Sequence, residues 1–303
     1  MSRSQFIKKE GLSLSCLAMY LLGCQPGERL KTIGELARDN ALSIGLMQAA
    51  LKTLENAGCI TVQRSGRNGS FLTHVDYRSL LDYANISRVV CAMPLPYTRE
   101  YEGLASGLKR EFSDVPFYFA HMRGADIRVE CLRNGIYDLA VVSRLAAEEY
   151  ASRPENGVKI AATLGEHSWV SHQIIRRRGD HGAVRRVGVD CRSMDQKLLT
   201  DMIYDPAAVA RVEIPYHDCL SRLENGTIDA VVWNVENRQV LARYGLEAVP
   251  LEGDQRVVLA TEATILIRSD DRSTGKLLDT FVDTHRVRQH QRAVVSEEIE
   301  PSY

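Results

Sequence analysis

The sequence predicts an α/β chain in two parts. A small helical head closed by a β-hairpin is followed by a larger body of two lobes in which strands and helices alternate. Residues 1–75 show three helical patterns and then β-branched runs around a polar turn. From about residue 88, short uninterrupted apolar runs alternate with amphipathic segments, the pattern of parallel-type sheets covered on both faces. One phrase also occurs twice, LRNGIYDLAVV at 132–142 and LENGTIDAVVW at 223–233.

At 303 residues the chain exceeds what one hydrophobic core usually organises. A hydrophobic content of 45 % and a charged content of 25 % are those of an ordinary globular protein. The net charge of −1 excludes no partner, but its distribution is uneven. Residues 1–75 hold nine Lys/Arg against five acids, which leaves the remainder net negative. A basic head on an acidic body points to nucleic acid at the head. No apolar stretch approaches the ~20 residues that cross a bilayer, so no membrane partner is expected. The opening MSRSQFIKKEGLSLSCLAMYLLGC is basic and then apolar, like an export signal. Ser13 and Ser15 interrupt it, though, and no small-residue cleavage site follows, so a cytoplasmic location is expected. Seven scattered cysteines with no C-x-x-C pair fit free thiols in a reducing compartment.

In the head, residues 14–24 place Leu14, Leu17, Ala18, Leu21 and Leu22 on one helical face, and Pro26-Gly27 ends that helix. Thr32, with Glu35 three residues on, is a capping box that opens a second helix over 32–40. Ser43 caps a third, whose expected buried stripe is Leu46, Ala50, Leu51 and Leu54 and whose end is Gly58. The run CITVQRSGRNGSFLTHV then reads as a hairpin turning at Asn68-Gly69. Three helices and a basic hairpin make a winged helix-turn-helix over residues 1–75, with the third helix fitted for the major groove and the wing for phosphates. The residues expected to meet double-stranded DNA are Arg29, Lys31, Thr32, Ser43, Gln48, Lys52, Arg64 and Arg67. The competing reading is a protein-docking module whose hairpin is basic by accident.

Residues 76–87 form a mostly polar linker with helical character. Over 88–303 strands are expected in SRVVCAMP, VPFYFAHM and YDLAVVS, with helices over 98–113 and 124–135 between them. A second strand–helix–strand–helix–strand series runs from RRVGVD to TIDAVVWN. The doubled phrase is a helix end, a turn and a strand: glycine takes the left-handed conformation that a Cβ resists, and the following apolar run is a buried strand. The two copies mark two similar lobes, lobe one at about 88–165 and 258–303 and lobe two at about 185–250, although shared turn chemistry alone also produces such a likeness. Residues 159–180 and 255–271 read as runs that cross between lobes, and 274–295 as one closing helix.

Residues 26–73 resemble the DNA-binding domain of the GntR regulators, in the Pro-Gly-x-x-Leu opening, the ELA of the second helix, the AL..LE..G of the third and the glycine-bearing wing. That family places Arg and a Thr-Val pair after the helix-opening Ser. This chain has Ile44-Gly45-Leu46, so the contact such an Arg makes is absent and Gln48 and Lys52 are left to replace it. The body, over about 86–295, resembles the type-2 periplasmic-binding-protein fold. The layout as a whole resembles the YhfZ family of predicted transcriptional regulators. The resemblance implies a DNA-binding head joined to an effector-binding domain.

In open sheets ligands sit beyond the carboxyl ends of the parallel strands. That rule selects Tyr97, Thr98, His121, Arg123, Ser143 and Arg144 in lobe one and Arg192, Ser193, Gln196, Trp233 and Asn234 in lobe two. Arg and Ser at helix starts suit a small anionic metabolite, with aromatic walls; for each residue a helix cap or surface charge is the plainer role. G-x-S-x-G, H-E-x-x-H and a phosphate-binding G-x-x-x-x-G-K-[ST] are all missing, so no catalytic group, metal or cofactor is expected. The expected function is a ligand-responsive regulator acting as a homodimer on a palindromic operator. The rivals are an enzyme built around His121, with the head as a docking module, and a transport receptor.

Overall fold

The computed structural model describes residues 8–86, 88–180, 182–234 and 238–303. The first residues of the export-like stretch (1–7), residue 87 of the linker and residues 235–237 after Asn234 lie outside the described residues. The chain forms two compact units. The first takes in residues through Val89, Phe112–Tyr118 and Arg272–Val282; the second takes in Val90–Glu111, Phe119–Asp271 and Asp283–Tyr303.

The first unit opens with α1 (Lys9–Leu21), α2 (Ile33–Asp39) and α3 (Ile44–Asn56), followed by β1 (Ile60–Arg64), β2 (Ser70–Val75) and α4 (Tyr77–Tyr83). Helix α1 begins ahead of its apolar run, and Ser13 is buried inside it because its hydroxyl donates to Glu10 O at 2.8 Å. The capping box of α2 is formed in both directions between Thr32 and Glu35, and Ser43 Oγ accepts from Leu46 N at the start of α3. Met47, rather than Leu46, joins Ala50 and Leu54 in the buried stripe of α3, while Leu51 is half-buried. Strands β1 and β2 pair antiparallel out to Arg64↔Ser70. The turn is not a two-residue Asn68-Gly69 loop. It spans 65–69, with Gly66 at φ +54° and Gly69 at φ +94°, and Ser65 N donates to Gly69 O at 2.9 Å.

The body begins with β3 (Val89–Met93), α5 (Arg99–Glu111), β4 (Phe117–His121), α6 (Ala125–Arg133), β5 (Leu139–Ser143), α7 (Arg144–Ala151) and β6 (Val158–Thr163). It continues with β7 (His172–Arg177), β8 (Arg186–Val189), α8 (Met194–Ile203), β9 (Ala210–Glu213), α9 (Cys219–Glu224), β10 (Ala230–Asn234), α10 (Arg238–Arg243) and β11 (Leu246–Pro250). It closes with α11 (Gln255–Leu259), β12 (Ala263–Arg268), α12 (Arg272–Phe281) and α13 (Thr284–Val295). One five-stranded sheet has the order β4-β3-β5-β12-β6 and the other β11-β7-β10-β8-β9. The parallel core is present as β3 beside β5 and as β8 between β10 and β9. The sheets are nevertheless mixed. Strands β7 and β12, which enter each sheet after a crossing, pair antiparallel with β10 and β5.

Three segments are more broken than their sequence pattern. The run at 159–180 divides into β6 and β7 around a turn with positive φ at Gly165 (+81°) and His167 (+60°). The run at 255–271 starts as α11 before becoming β12. The closing helix splits at Asp283, whose carboxylate accepts from His285 N at 2.9 Å and opens α13. The first half, α12, belongs to the first unit, where Thr280 Oγ1 donates to Leu22 O at 2.9 Å and Phe281 meets Tyr77 ring to edge at 4.9 Å.

The doubled phrase is explained bond by bond. In the first copy Asn134 N donates to Glu130 O, Gly135 N to Leu132 O and Ile136 N to Cys131 O; in the second Asn225 N donates to Ser221 O, Gly226 N to Leu223 O and Thr227 N to Arg222 O. Both glycines are left-handed, at φ +68° and +73°. Asp138 N donates to Val90 O while its carboxylate accepts from Val90 N. Asp229 likewise donates to Arg186 O and accepts from Arg186 N. Each aspartate therefore locks the start of its strand to the first residues of the parallel neighbour, β5 to β3 and β10 to β8. Buried Val141 and Val142, and Val231 and Val232, then enter the cores of the two lobes.

Candidate ligand cavity and nucleic-acid face

The second unit holds a cavity of about 910 Å³ between its sheets, lined from the carboxyl ends of the parallel strands. Its walls are aromatic. Tyr101 and Trp169 meet edge to face at 4.7 Å, and Tyr216 and Trp233 lie 5.6 Å apart. Trp169 is held in place from behind, where Gln291 of α13 donates to Ser168 O at 2.9 Å and to Glu100 O at 2.7 Å. The two tryptophans of the chain thus both face this cavity.

Arg128, on the second turn of α6, is the main electrostatic feature of the lining. It is 5 % exposed. Its Nε donates to Val141 O and its Nη1 to Met122 O, each at 3.0 Å, so the guanidinium plane is fixed by two main-chain carbonyls. The remaining Nη2 has no hydrogen-bond partner, and among the described residues no carboxylate forms an ion pair with the guanidinium, although Asp195 and Asp126 act on it electrostatically. Burial pulls its pKa down, with Tyr101 and Asp195 opposing that pull. A desolvated cation with a donor left over has the chemistry to pair with an anion.

Facing it are His172, at 8 % exposure, and Asp195. His172 Nδ1 and Trp233 Nε1 are buried without a hydrogen-bond partner. Burial lowers the His172 pKa and raises that of Asp195, and each opposes the other's shift electrostatically. Asp195 also accepts a hydrogen bond from Ser143 Oγ. Asp190 is fully engaged, accepting from Arg192 N at 2.9 Å and Tyr216 N at 3.0 Å.

Of the residues expected from sequence, Tyr97, Arg123, Arg192, Ser193, Trp233 and Asn234 line the cavity. Arg123 Nη2 donates to Tyr97 Oη at 2.7 Å with its charge 5.2 Å from that ring, and Asn234 is bonded to Tyr216. Thr98, His121, Ser143, Arg144 and Gln196 are engaged elsewhere. Thr98 Oγ1 caps α5 by accepting from Tyr101 N, and His121 Nδ1 is bonded to Pro94 O at 2.8 Å. Ser143 caps α7, and Arg144 pairs with Glu148 at 2.8 Å and Glu262 at 3.0 Å. Gln196 is buried beneath β10, donating to Val232 O at 2.7 Å. Arg128 and His172 were missed by a rule that looks only at loops. The available signal was an arginine on the apolar stripe of α6, three residues after Ala125 and four before Leu132.

In the head, all eight expected DNA-contacting residues are exposed. Lys31 pairs with Asp39 at 2.8 Å and Arg64 with Glu55 at 2.7 Å, while Thr32 and Ser43 spend their hydroxyls on helix caps. The side chains of Arg29, Gln48, Lys52 and Arg67 form no hydrogen bond or ion pair among the described residues. Arg29 lies against Gly69 of the hairpin, where an added Cβ would stand 2.7 Å from its Nε.

Fold and cavity together define a helix-turn-helix head joined to a two-lobed binding-protein-like body. Comparison with known proteins agrees. A helix-turn-helix domain model matches residues 25–72, and the model of the YhfZ C-terminal domain matches residues 76–303. The chain belongs to the YhfZ family. It is 55 % identical over 302 residues, 99 % of its own length and 100 % of the other's, to the uncharacterized protein YhfZ of Escherichia coli (strain K12). The crystal structure of YhfZ from Shigella flexneri, at 56 % identity, aligns over 75 % of this chain and 97 % of that one with a TM-score of 0.67. A further match is the amino acid ABC transporter substrate-binding protein AbpA of Streptococcus pneumoniae, bound to L-arginine. At 14 % identity it covers 70 % of this chain and 94 % of that one with a TM-score of 0.52, a likeness of fold. A helix-turn-helix domain joined to such a body fits a ligand-responsive DNA-binding regulator. Among the described residues no helix is long and apolar enough to cross a membrane, and no cluster of His, Cys, Asp and Glu could hold a metal ion.

Proposed function

We propose that the chain is a regulator that binds operator DNA through its head and a small anionic metabolite in the cavity of its body. The observation that carries the reading is Arg128. A buried charge is costly unless something pairs with it, and Arg128 lines a cavity large enough for a metabolite with one guanidinium nitrogen left over from its main-chain bonds. The anion takes Nη2 of Arg128, with Arg123 and Arg192 at the rim and Trp233 Nε1 and His172 supplying further polar contacts. Two copies of the chain acting on a two-fold operator give the base-pair coverage that one winged helix lacks. Ligand binding reaches the head through the chain itself. Helix α12, whose Thr280 and Phe281 hold α1 and α4, is joined directly to β12 and α13 of the body.

The experiment is selection of genomic fragments by the full chain at low and moderate salt, beside a Lys52→Ala/Arg67→Ala double variant. These two cations are unpaired in the structure, so their loss subtracts phosphate contacts without breaking an ion pair. The expected result is one enriched sequence whose affinity falls with salt, with a slope about two units shallower in the variant. Fragments retained without sequence preference, or not at all, overturn the reading.

A further inference from the structure

The exposed face of α3 is made of Ser43, Ile44, Gly45, Gln48, Ala49, Lys52 and Thr53. Ile44 is 55 % exposed, a large apolar side chain left in water at the first position of the helix. Nothing lies within 4 Å of where a Cβ on Gly45 would stand, and Ala49 is equally small, so the helix axis can approach a partner closely. No acid stands on this face: Glu55 is turned aside and tied to Arg64 at 2.7 Å. The unpaired cations Lys52 and Arg67 flank the face and the wing. An apolar tip, a small-residue track and uncompensated positive charge, with no acid among them, fit an anionic groove that carries isolated methyl groups.

We infer that Ile44 reads the 5-methyl group of a thymine in the major groove, with Gln48, one turn further along the same face, set against an adjacent adenine. The inference rests on the head binding DNA, and it adds which base pairs the head reads. Of the four bases only thymine presents a methyl to the major groove, and a glutamine amide matches the N6 and N7 edge of adenine. The operator half-site is therefore built on A·T pairs where α3 enters, and apolar contact supplies discrimination at a position where hydrogen bonding supplies none.

The test uses the sequence recovered by fragment selection, in duplexes where each half-site thymine is replaced singly by deoxyuridine. That change removes the methyl and leaves pairing intact. Affinities are measured for the wild-type chain, Ile44→Ala and Ile44→Val. At one thymine per half-site the wild type is expected to weaken by roughly fourfold, the worth of one buried methyl. Ile44→Ala is expected to bind the thymine and uracil duplexes alike there, and Ile44→Val to keep most of the difference. Because Ile44 is exposed, both variants keep the fold, which the unfolding temperature checks. A wild-type chain indifferent to every such replacement while still selecting the sequence overturns the inference and leaves DNA binding standing. Failure to select any sequence overturns both.

Discussion

Arg128→Met separates a structural arginine from a ligand-binding one. The substitution removes two hydrogen bonds from a charged donor, to Val141 O and Met122 O, both at 3.0 Å. At about 1.5–3 kcal/mol each these contribute roughly 3–6 kcal/mol. The same substitution relieves the several kcal/mol that an ion kept from water costs, a cost that Asp195 and Asp126 offset only in part in the free protein. The two effects nearly cancel, so the stability of the unliganded protein is expected to move by no more than about 2 kcal/mol. Ligand binding has no such compensation. Taking away the cation opposite a buried anion costs about 2–5 kcal/mol, a loss of roughly 30-fold to 4,000-fold in affinity. The assay is intrinsic fluorescence. Both tryptophans of the chain line the cavity, so a titration with a panel of carboxylates and phosphorylated metabolites reports on that site alone. Arg128→Lys, which keeps the charge but loses the fork of donors, should fall between. An anion that binds the Met variant within threefold of wild type refutes the reasoning, as does a variant that no longer folds.

Other positions give independent tests. Thr32→Ala removes the side-chain half of the capping box on α2, leaving the residue-32 N–H on the Glu35 carboxylate, and should cost about 1 kcal/mol, visible as faster amide exchange in α2 and weaker DNA binding. Gly135→Ala and Gly226→Ala each force a side chain into the left-handed region without a steric clash. Losses of about 1–2 kcal/mol are expected at both sites by thermal unfolding; clearly unequal losses would contradict a shared turn. Burial holds the His172 imidazole below its usual range, so the unfolded chain takes up the proton first. Stability should be level in this respect above the unfolded value of 6.5, fall as pH drops through it, and level off below the folded value. Asp195 contributes with the opposite sign, since its raised pKa removes stability as pH rises above 3.8. The His172 share is therefore the difference between wild type and His172→Gln in melts from about pH 8 to about pH 5, and no difference would count against the buried neutral imidazole.

Much of this architecture is legible in the sequence because it is local. The Thr32/Glu35 box, the Ser43 cap and the left-handed Gly58 are decided by neighbours within four residues. The doubled phrase is read correctly for the same reason, as its turn bonds all close within five residues. What escapes depends on partners far along the chain. The run at 159–180 has no strong breaker, yet its two halves join different sheets through β12 and β10. Asp283 splits the final helix because a cap competes with continuation there, which an amphipathic pattern running through 274–295 conceals. In the cavity, the loop residues were found by topology and the deeper ones were not. Ser143 and Gln196 have the right chemistry in the right loops, but their polar atoms close a helix cap and a strand carbonyl. Arg128 stands on a helix face where a charge is normally excluded. The sequence shows the anomaly, and only the packing shows what the charge faces.

Occupancy of the cavity is expected to change the grip of the head on DNA. The direct measurement is operator affinity of the full chain, free and saturated with the anion found by fluorescence, for wild type and Arg128→Met. The expected result is a wild-type shift of about 5-fold to 150-fold in either direction, with no shift for the Met variant at the same ligand concentration. Equal operator affinity across saturation, with the cavity demonstrably filled, would contradict it.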